Sequence, residues 1–277
     1  MSLKFSVEKL IARYKLKPRK KFGQNFLIDK GLMERMVEYA EVKSDDVVVD
    51  VGAGFGFLTE ILAKKAGKVI CVELDPKLYN FLRGKFSGKD NVKIVLGDFC
   101  KLNFKGLYNK VVSSPPYSAI SRIFFKILEE GFEVAVLVLQ KEFALRLKAK
   151  PGEKDYGRLT VMAYAKCDVE FLEEISASSF YPKPKVSSIL VKVIPKKELP
   201  MSIENWNMFE QTVKVLFTQK NKKLKNALKI FSNYNGFHWI RSIIPGLPYL
   251  ERRVFTLRPE EICEISNILH EKFAEKR

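Results

Sequence analysis

The sequence predicts an α/β fold, with a parallel sheet covered on both faces by helices and a small α-helical domain at the C-terminal end. Three observations carry this. Between Asp46 and Gln140, apolar runs bounded by glycine or proline alternate with segments of helical spacing. Those runs are predominantly apolar and do not alternate with polar residues, as strands buried on both faces read. After the stretch PKKELPMSIENW the pattern becomes helical throughout. A chain of 277 residues can bury one full core and a second, smaller one.

Each element has its own local signal. DVVVDVG is a β-branched run closed by Gly52, FLTEILAKKAG has helical spacing and a glycine stop, and KVICVELD is a second strand. PKLYNFLRGKF opens a helix on Pro76, which suits the first turn because its missing N–H would be unpaired there anyway. NVKIVLGD, NKVVSSPP and EVAVLVLQ are further strands, with SAISRIFFKILEEG as the helix before the last. Past residue 150, KPGEKDYGRLTV reads as a loop entering a helix and VEFLEEIS as a strand. FYPKPKVSSILVKVIP reads as a proline-stiffened loop leading into an edge strand. The expected organisation is a first domain over residues 1–194, a linker over 195–206 and a helical domain over 207–277, broken by NYNGFH and IPGLPYL.

Composition narrows the function classes. No apolar run approaches the roughly 20 residues of a membrane span, and MSLKFSVEKLIARYK lacks the apolar core of a signal peptide, so a cytoplasmic protein with no membrane partner is expected. Cys71, Cys100, Cys167 and Cys263 are far apart and form no CxxC pair, and His238 and His270 are the only histidines. That supply is too small for a structural zinc site or a histidine-based triad, and no metal is expected.

The formal charge of +17, from 49 Lys and Arg against 32 Asp and Glu, favours a polyanionic partner. It is concentrated in two blocks, KLKPRKKFGQNF, which contains Lys20 and Lys21, and KVLFTQKNKKLKNALK, which contains Lys220, Lys222 and Lys223 and no acid. Both blocks include aromatic residues, which suits single-stranded or looped RNA.

In VVVDVGAGFGFLTE the glycines Gly52, Gly54 and Gly56 stand between a strand and a helix, where a missing β-carbon lets backbone approach a ligand. A dinucleotide GxGxxG fingerprint would need its third glycine at position 57, which is Phe57. GxGxG preceded by Asp50 instead resembles the first motif of S-adenosylmethionine methyltransferases, which implies their Rossmann-like class I sheet. Glu73 ends the second strand, with Leu74 beside it, where a carboxylate can accept from both ribose hydroxyls. Asp98, with Phe99 beside it, ends the third, where a carboxylate can accept from an adenine amino group while an apolar ring covers the base.

SSPPY follows the fourth strand. An exocyclic amine on adenine or cytosine is a poor nucleophile because its lone pair is delocalised into the ring. The hydroxyl of Ser114 and the carbonyl of Pro115 could both accept from one such amine and draw its nitrogen towards tetrahedral geometry. Tyr117 could stack on a base taken out of its loop.

KKFGQNFLID, VVDVGAGFGFLTE, CVELD, LGDF, SPPY, DYGRLTV and FYPKPKV occur in the order found in the rRNA adenine N6,N6-dimethyltransferases, and the chain resembles that family from about Arg19 to Ile194. The resemblance implies methyl transfer from S-adenosylmethionine to adenine N6 in ribosomal RNA. By position it implies that Asn25 and Leu27 close over the cofactor and that Gly52 lies beneath its methionine part. Gly54 belongs to the same loop, Glu73 would hold the ribose and Asp98 the adenine. It also implies that Ser114 and Tyr117 address the target base and that Phe180 sandwiches it from the opposite side.

FTQKNKKLKNAL is similar to the helical domain of the ribosome-biogenesis branch. That branch dimethylates two adjacent adenosines in the 3′-terminal hairpin loop of small-subunit rRNA, and its members commonly act as monomers. Ser114 departs from the asparagine usual in the family. A large-subunit rRNA target, a DNA amino-methyltransferase and a chiefly non-catalytic assembly factor remain open, and a dehydrogenase is disfavoured by Phe57.

Overall fold

Residues 3–14, 24–234 and 236–275 are described by the structure, a computed structural model. Chain contacts divide it into two units, Met1–Ala144 with Val169–Pro195, and Leu145–Asp168 with Lys196–Arg277. Residues 145–168, which the sequence suggests belong with the sheet, therefore fall in the second unit.

The β-branched runs become strands because both of their faces are covered. β2 (Val47–Val51), β3 (Lys68–Glu73), β5 (Lys110–Ser113) and β6 (Val134–Gln140) are buried along nearly their whole length. With β4 (Val92–Leu96), β7 (Cys167–Ile175) and β9 (Ser188–Pro195) they form a seven-stranded sheet in the order β4-β3-β2-β5-β6-β9-β7. The β4 to β6 ladders are parallel. Strand order reverses between β2 and β5, so the crevice beyond their carboxyl ends is the place where an open α/β sheet takes a ligand.

β9, for which the sequence reading gave no direction, runs antiparallel to β6 with Leu137 opposite Val191. The edge-strand expectation fails there: β9 is covered on its other side by β7, which is the edge. β7 carries Asp168, Glu170, Glu173 and Glu174, charges of the kind that protect an edge from further pairing.

Helices pack on both faces. α2 (Lys30–Tyr39) starts at Asp29, whose side chain accepts from Leu32 N–H, and buries Leu32, Met33, Met36 and Val37. α3 (Phe57–Leu62) follows the glycine loop, and α4 (Pro76–Lys85) is capped by Asp75. α5 (Ile120–Glu130) buries Ile120, Ile123, Phe124 and Ile127, one stripe at helical spacing. The sequence reading did not include α2, nor α1 (Leu3–Arg13), whose Val7 packs in a cluster with Phe55 and Leu78. It also omitted a two-stranded ribbon in which β1 (Phe26–Leu27) pairs antiparallel with β8 (Phe180–Tyr181).

The second unit is helical. After the short α6 (Lys141–Leu147), α7 (Arg158–Lys166), α8 (Trp206–Thr218), α9 (Leu224–Phe231), α10 (Ile240–Ile243) and α11 (Pro259–Ala274) bury Val161, Phe209, Leu216, Leu228, Phe231, Ile240, Ile262 and Ile265.

Candidate active site

The glycine loop turns sharply after β2. Gly52 and Gly54 have φ of +77° and +59°, a left-handed backbone that disfavours side chains. Space forbids them as well. A β-carbon on Gly52 would lie 2.9 Å from Pro116 Cδ, and one on Gly54 would lie 2.9 Å from Phe26 Cδ1. The loop is thus held between the SPPY segment and the β1 ribbon.

An open cleft lies over this loop, at the carboxyl ends of the strands. Asn25, Gly52, Gly54, Glu73, Leu74, Asp98, Phe99 and Ser114 all line it, gathered from separate strand ends. Leu27 lines a smaller cavity beside it, together with Asn25, Gly52, Gly54 and Ser114. The cleft also takes in Pro116, the second proline of SSPPY, and Gln24, Phe26 and Arg122, which the sequence reading did not single out. Phe26 lay inside a quoted motif. Arg122 gave no local signal, because only the return of α5 over the sheet brings it to Asp98.

Glu73 is buried, and burial raises its carboxyl above the usual range. Its Oε2 accepts from Gly54 N–H at 3.0 Å and its Oε1 from Asp75 N–H at 2.9 Å. A carboxylate has about four acceptor sites, so capacity remains to receive a ribose hydroxyl. Asp98 Oδ1 accepts from Cys100 N–H at 3.0 Å, and its Oδ2 lies 3.6 Å from Arg122 Nη1. Phe99 is buried in a stack on Phe104, with centroids 5.4 Å apart, which fixes the floor beside Asp98. Asp50 lies under the loop, pushed up to about 7 by burial, and accepts from the Thr59 hydroxyl at 2.7 Å. The acceptors, the apolar floor and the glycine cradle fit the ribose and adenine of S-adenosylmethionine.

The SPPY segment is anchored at its root. Ser113 donates to the Val51 carbonyl at 2.7 Å and accepts from Val51 N–H at 3.2 Å, which ties β5 to the start of the glycine loop. The Pro116 carbonyl accepts from Ala119 N–H at 3.0 Å. Tyr117 is half-buried, with its hydroxyl 2.5 Å from that of Ser188 and its phenol raised by burial. Its ring meets Phe180 edge-on, with centroids 6.3 Å apart.

Pro115, Tyr117 and Phe180 do not line the cleft. Phe180 corrects the sandwich expectation in one respect: it is 1 % exposed and packed in the core cluster of Leu27 and Leu190, so it presents no face to a base in this conformation. Instead it backs Tyr117. The ribbon explains this, because the pairing of Leu27 with Phe180 turns two distant motifs into one piece of structure.

Lys20 and Lys21 lie outside the described residues. Lys222 and Lys223 are exposed and Lys220 is half-exposed. Lys220 Nζ donates to the Lys154 carbonyl at 2.7 Å. Lys223 and Lys225 lie 2.8 and 2.5 Å from the Glu251 carboxylate, which they hold at about 2. Among the described residues there is no group of three or more His, Cys, Asp or Glu that could hold a metal ion, and no helix is long and apolar enough to cross a membrane.

Residues 15–271 match the family model described as "Ribosomal RNA adenine dimethylase". A protein of Pyrococcus abyssi named "Probable ribosomal RNA small subunit methyltransferase A" is 42% identical over 265 residues, 95% of this chain and 96% of that one. A dimethyladenosine transferase from Plasmodium falciparum has a similar crystal structure, with a TM-score of 0.71 at 27% identity, covering 90% of this chain and 97% of that one. The structure titled 23S rRNA methyltransferase ErmE follows with 0.62 at 29%, covering 89% of this chain and all of that one.

Proposed function

The chain belongs to the ribosomal RNA adenine dimethylase family, and from that premise we propose that it dimethylates N6 of two adjacent adenosines in the 3′-terminal hairpin loop of small-subunit ribosomal RNA. It is an S-adenosylmethionine-dependent rRNA methyltransferase. One observation carries the assignment of the site. Glu73, Asp98 and Ser114, at the carboxyl ends of three different strands, line one cleft over a left-handed glycine loop.

When bound, S-adenosylmethionine supplies an electrophilic methyl group on a sulfonium. Glu73 would hold the ribose hydroxyls, Asp98 the adenine amino group, and Asn25 and Leu27 would close the methionine end. The Ser114 hydroxyl and the Pro115 carbonyl would accept the two N–H bonds of the target amine, so that its lone pair points into the cleft. Neither oxygen has to act as a strong base. The nitrogen would take the methyl group as the carbon–sulfur bond breaks, leaving a neutral thioether, and one amine proton would pass to water afterwards. Tyr117 would stack on the extruded base, with Phe180 as the wall behind it. We further infer that the protein acts as a cytoplasmic monomer on a precursor of the small subunit, with the exposed lysines around Lys222 on phosphate.

The test is incubation with S-adenosylmethionine and unmethylated small subunits, with large subunits in a parallel arm, followed by nucleoside mass spectrometry. Dimethyladenosine in the small-subunit rRNA is expected. Product confined to the large subunit, or none despite cofactor binding, rules the reading out.

A further inference from the structure

Ser188 has no part in the site described so far. It is the second serine of KVSS, the first residue of β9, and has no exposed surface. Its backbone is fixed in the sheet opposite Gln140, and the neighbouring Ser187 carbonyl accepts from Lys141 N–H at 3.0 Å. Its hydroxyl lies 2.5 Å from that of Tyr117, 71 residues earlier in the chain, at the short end of hydroxyl hydrogen bonds. Tyr117 follows Pro116, which lines the cleft, and its ring touches Phe180 edge-on.

A tyrosine side chain has two rotatable bonds, and two contacts define its plane. The phenol tip rests on Ser188 and the ring meets that of Phe180 edge to face, both partners being buried in the sheet unit. With its hydroxyl engaged, Tyr117 has its ring to offer a partner and not its oxygen.

We infer that Ser188 is a positioning residue for methyl transfer, holding the phenol of Tyr117 so that the ring is a preset stacking face for the extruded base. This rests on the reading of Tyr117 as the base platform. Ser188 itself touches neither base nor cofactor. A platform set before the base arrives spares the ordering of a rotamer during the reaction, so the benefit falls on turnover and not on cofactor affinity.

Four variants test it: S188A, S188T, Y117F and the double variant Y117F/S188A. Turnover is measured on unmethylated small subunits, and S-adenosylmethionine affinity by calorimetry. Loss of one hydrogen bond predicts a roughly five- to tenfold fall in kcat for S188A, with cofactor Kd within about twofold of wild type, as expected of a group that does not contact it. S188T restores most of the loss, Y117F matches S188A, and the double variant is no worse than Y117F alone. Wild-type kcat in S188A overturns the inference. So does a double variant showing the product of the two single losses, which would mean that Ser188 acts independently of Tyr117. A fifth variant, Y117A, separates the premise: wild-type turnover there removes the base platform itself, and a large loss there with an unaffected S188A removes only the role of Ser188.

Discussion

Glu73 is aimed by backbone before any ligand arrives, since Gly54 N–H and Asp75 N–H each hold one of its oxygens. In E73Q the amide NH₂ would face one of these N–H donors, so one contact is lost and the other must hold the group alone. S-adenosylmethionine affinity is expected to fall roughly ten- to a hundredfold by calorimetry, with an unchanged circular dichroism spectrum. Wild-type affinity would show that the carboxylate does not hold the ribose. Asp50 makes a different prediction. Burial raises its carboxyl to about 7, the Thr59 hydroxyl opposes the rise, and the neighbouring Glu73 charge adds to it. A raised carboxyl binds its proton more tightly in the folded chain than in the unfolded one. Its contribution to stability is therefore complete below the unfolded value near ~4 and is lost as pH rises to about 7. D50N keeps an acceptor for Thr59 and has no such loss. Its stability relative to wild type should grow across that interval at ~1.4 kcal/mol per unit of raised pKa, a few kcal/mol in all, read by urea unfolding at a series of pH values. A difference that is flat with pH would contradict this.

At the scale of elements, the β1–β8 ribbon joins the segment expected to close over the cofactor to the ring behind Tyr117. F180A removes a buried ring and should cost about 3–5 kcal/mol, so its inactivity would say nothing about the site. F180L keeps an apolar side chain and should cost under about 1.5 kcal/mol. With Phe180 as a wall, F180L should retain turnover to within about twofold, ~0.4 kcal/mol, below the ~1–3 kcal/mol of a lost base stack. A hundredfold loss at intact stability would mean that Phe180 meets the base itself. The ribbon also marks the limit of what could be read along the chain. VVVDV and VAVLVLQ were legible because strands covered on both faces are predominantly apolar without alternation, and Glu73 and Asp98 because they follow apolar runs beside turn signals. α2 was missed although its signal is local: Leu32, Met33, Met36 and Val37 recur at helical spacing behind Asp29. The inner place of β9, the burial of Phe180, and the approach of Arg122 to Asp98 and of Ser188 to Tyr117 depend on strand order and crossing helices. No local pattern encodes those.

For the whole molecule, the charge of +17 favours a polyanionic partner, and the number of lysines that reach phosphate sets how steeply binding falls with salt. Part of that charge is compensated inside the protein, because Glu251 engages both Lys223 and Lys225. E251Q releases both lysines, and subunit binding should tighten and become steeper in salt by about 0.7–0.9 logarithmic units for each new phosphate contact. K222A should flatten the slope by about the same step. Filter binding at several potassium concentrations reads both, and identical slopes in all three proteins would take this lysine cluster out of the RNA interface. The account as a whole depends on where two oxygens of the SPPY segment point. A crystal structure of the complex with S-adenosylhomocysteine and adenosine measures this directly. The adenosine N6 should lie within about 3 Å of both the Ser114 hydroxyl and the Pro115 carbonyl, on the side facing the sulfur. If those oxygens turn away from the sulfur and leave no room for a nucleoside between them, the account is wrong.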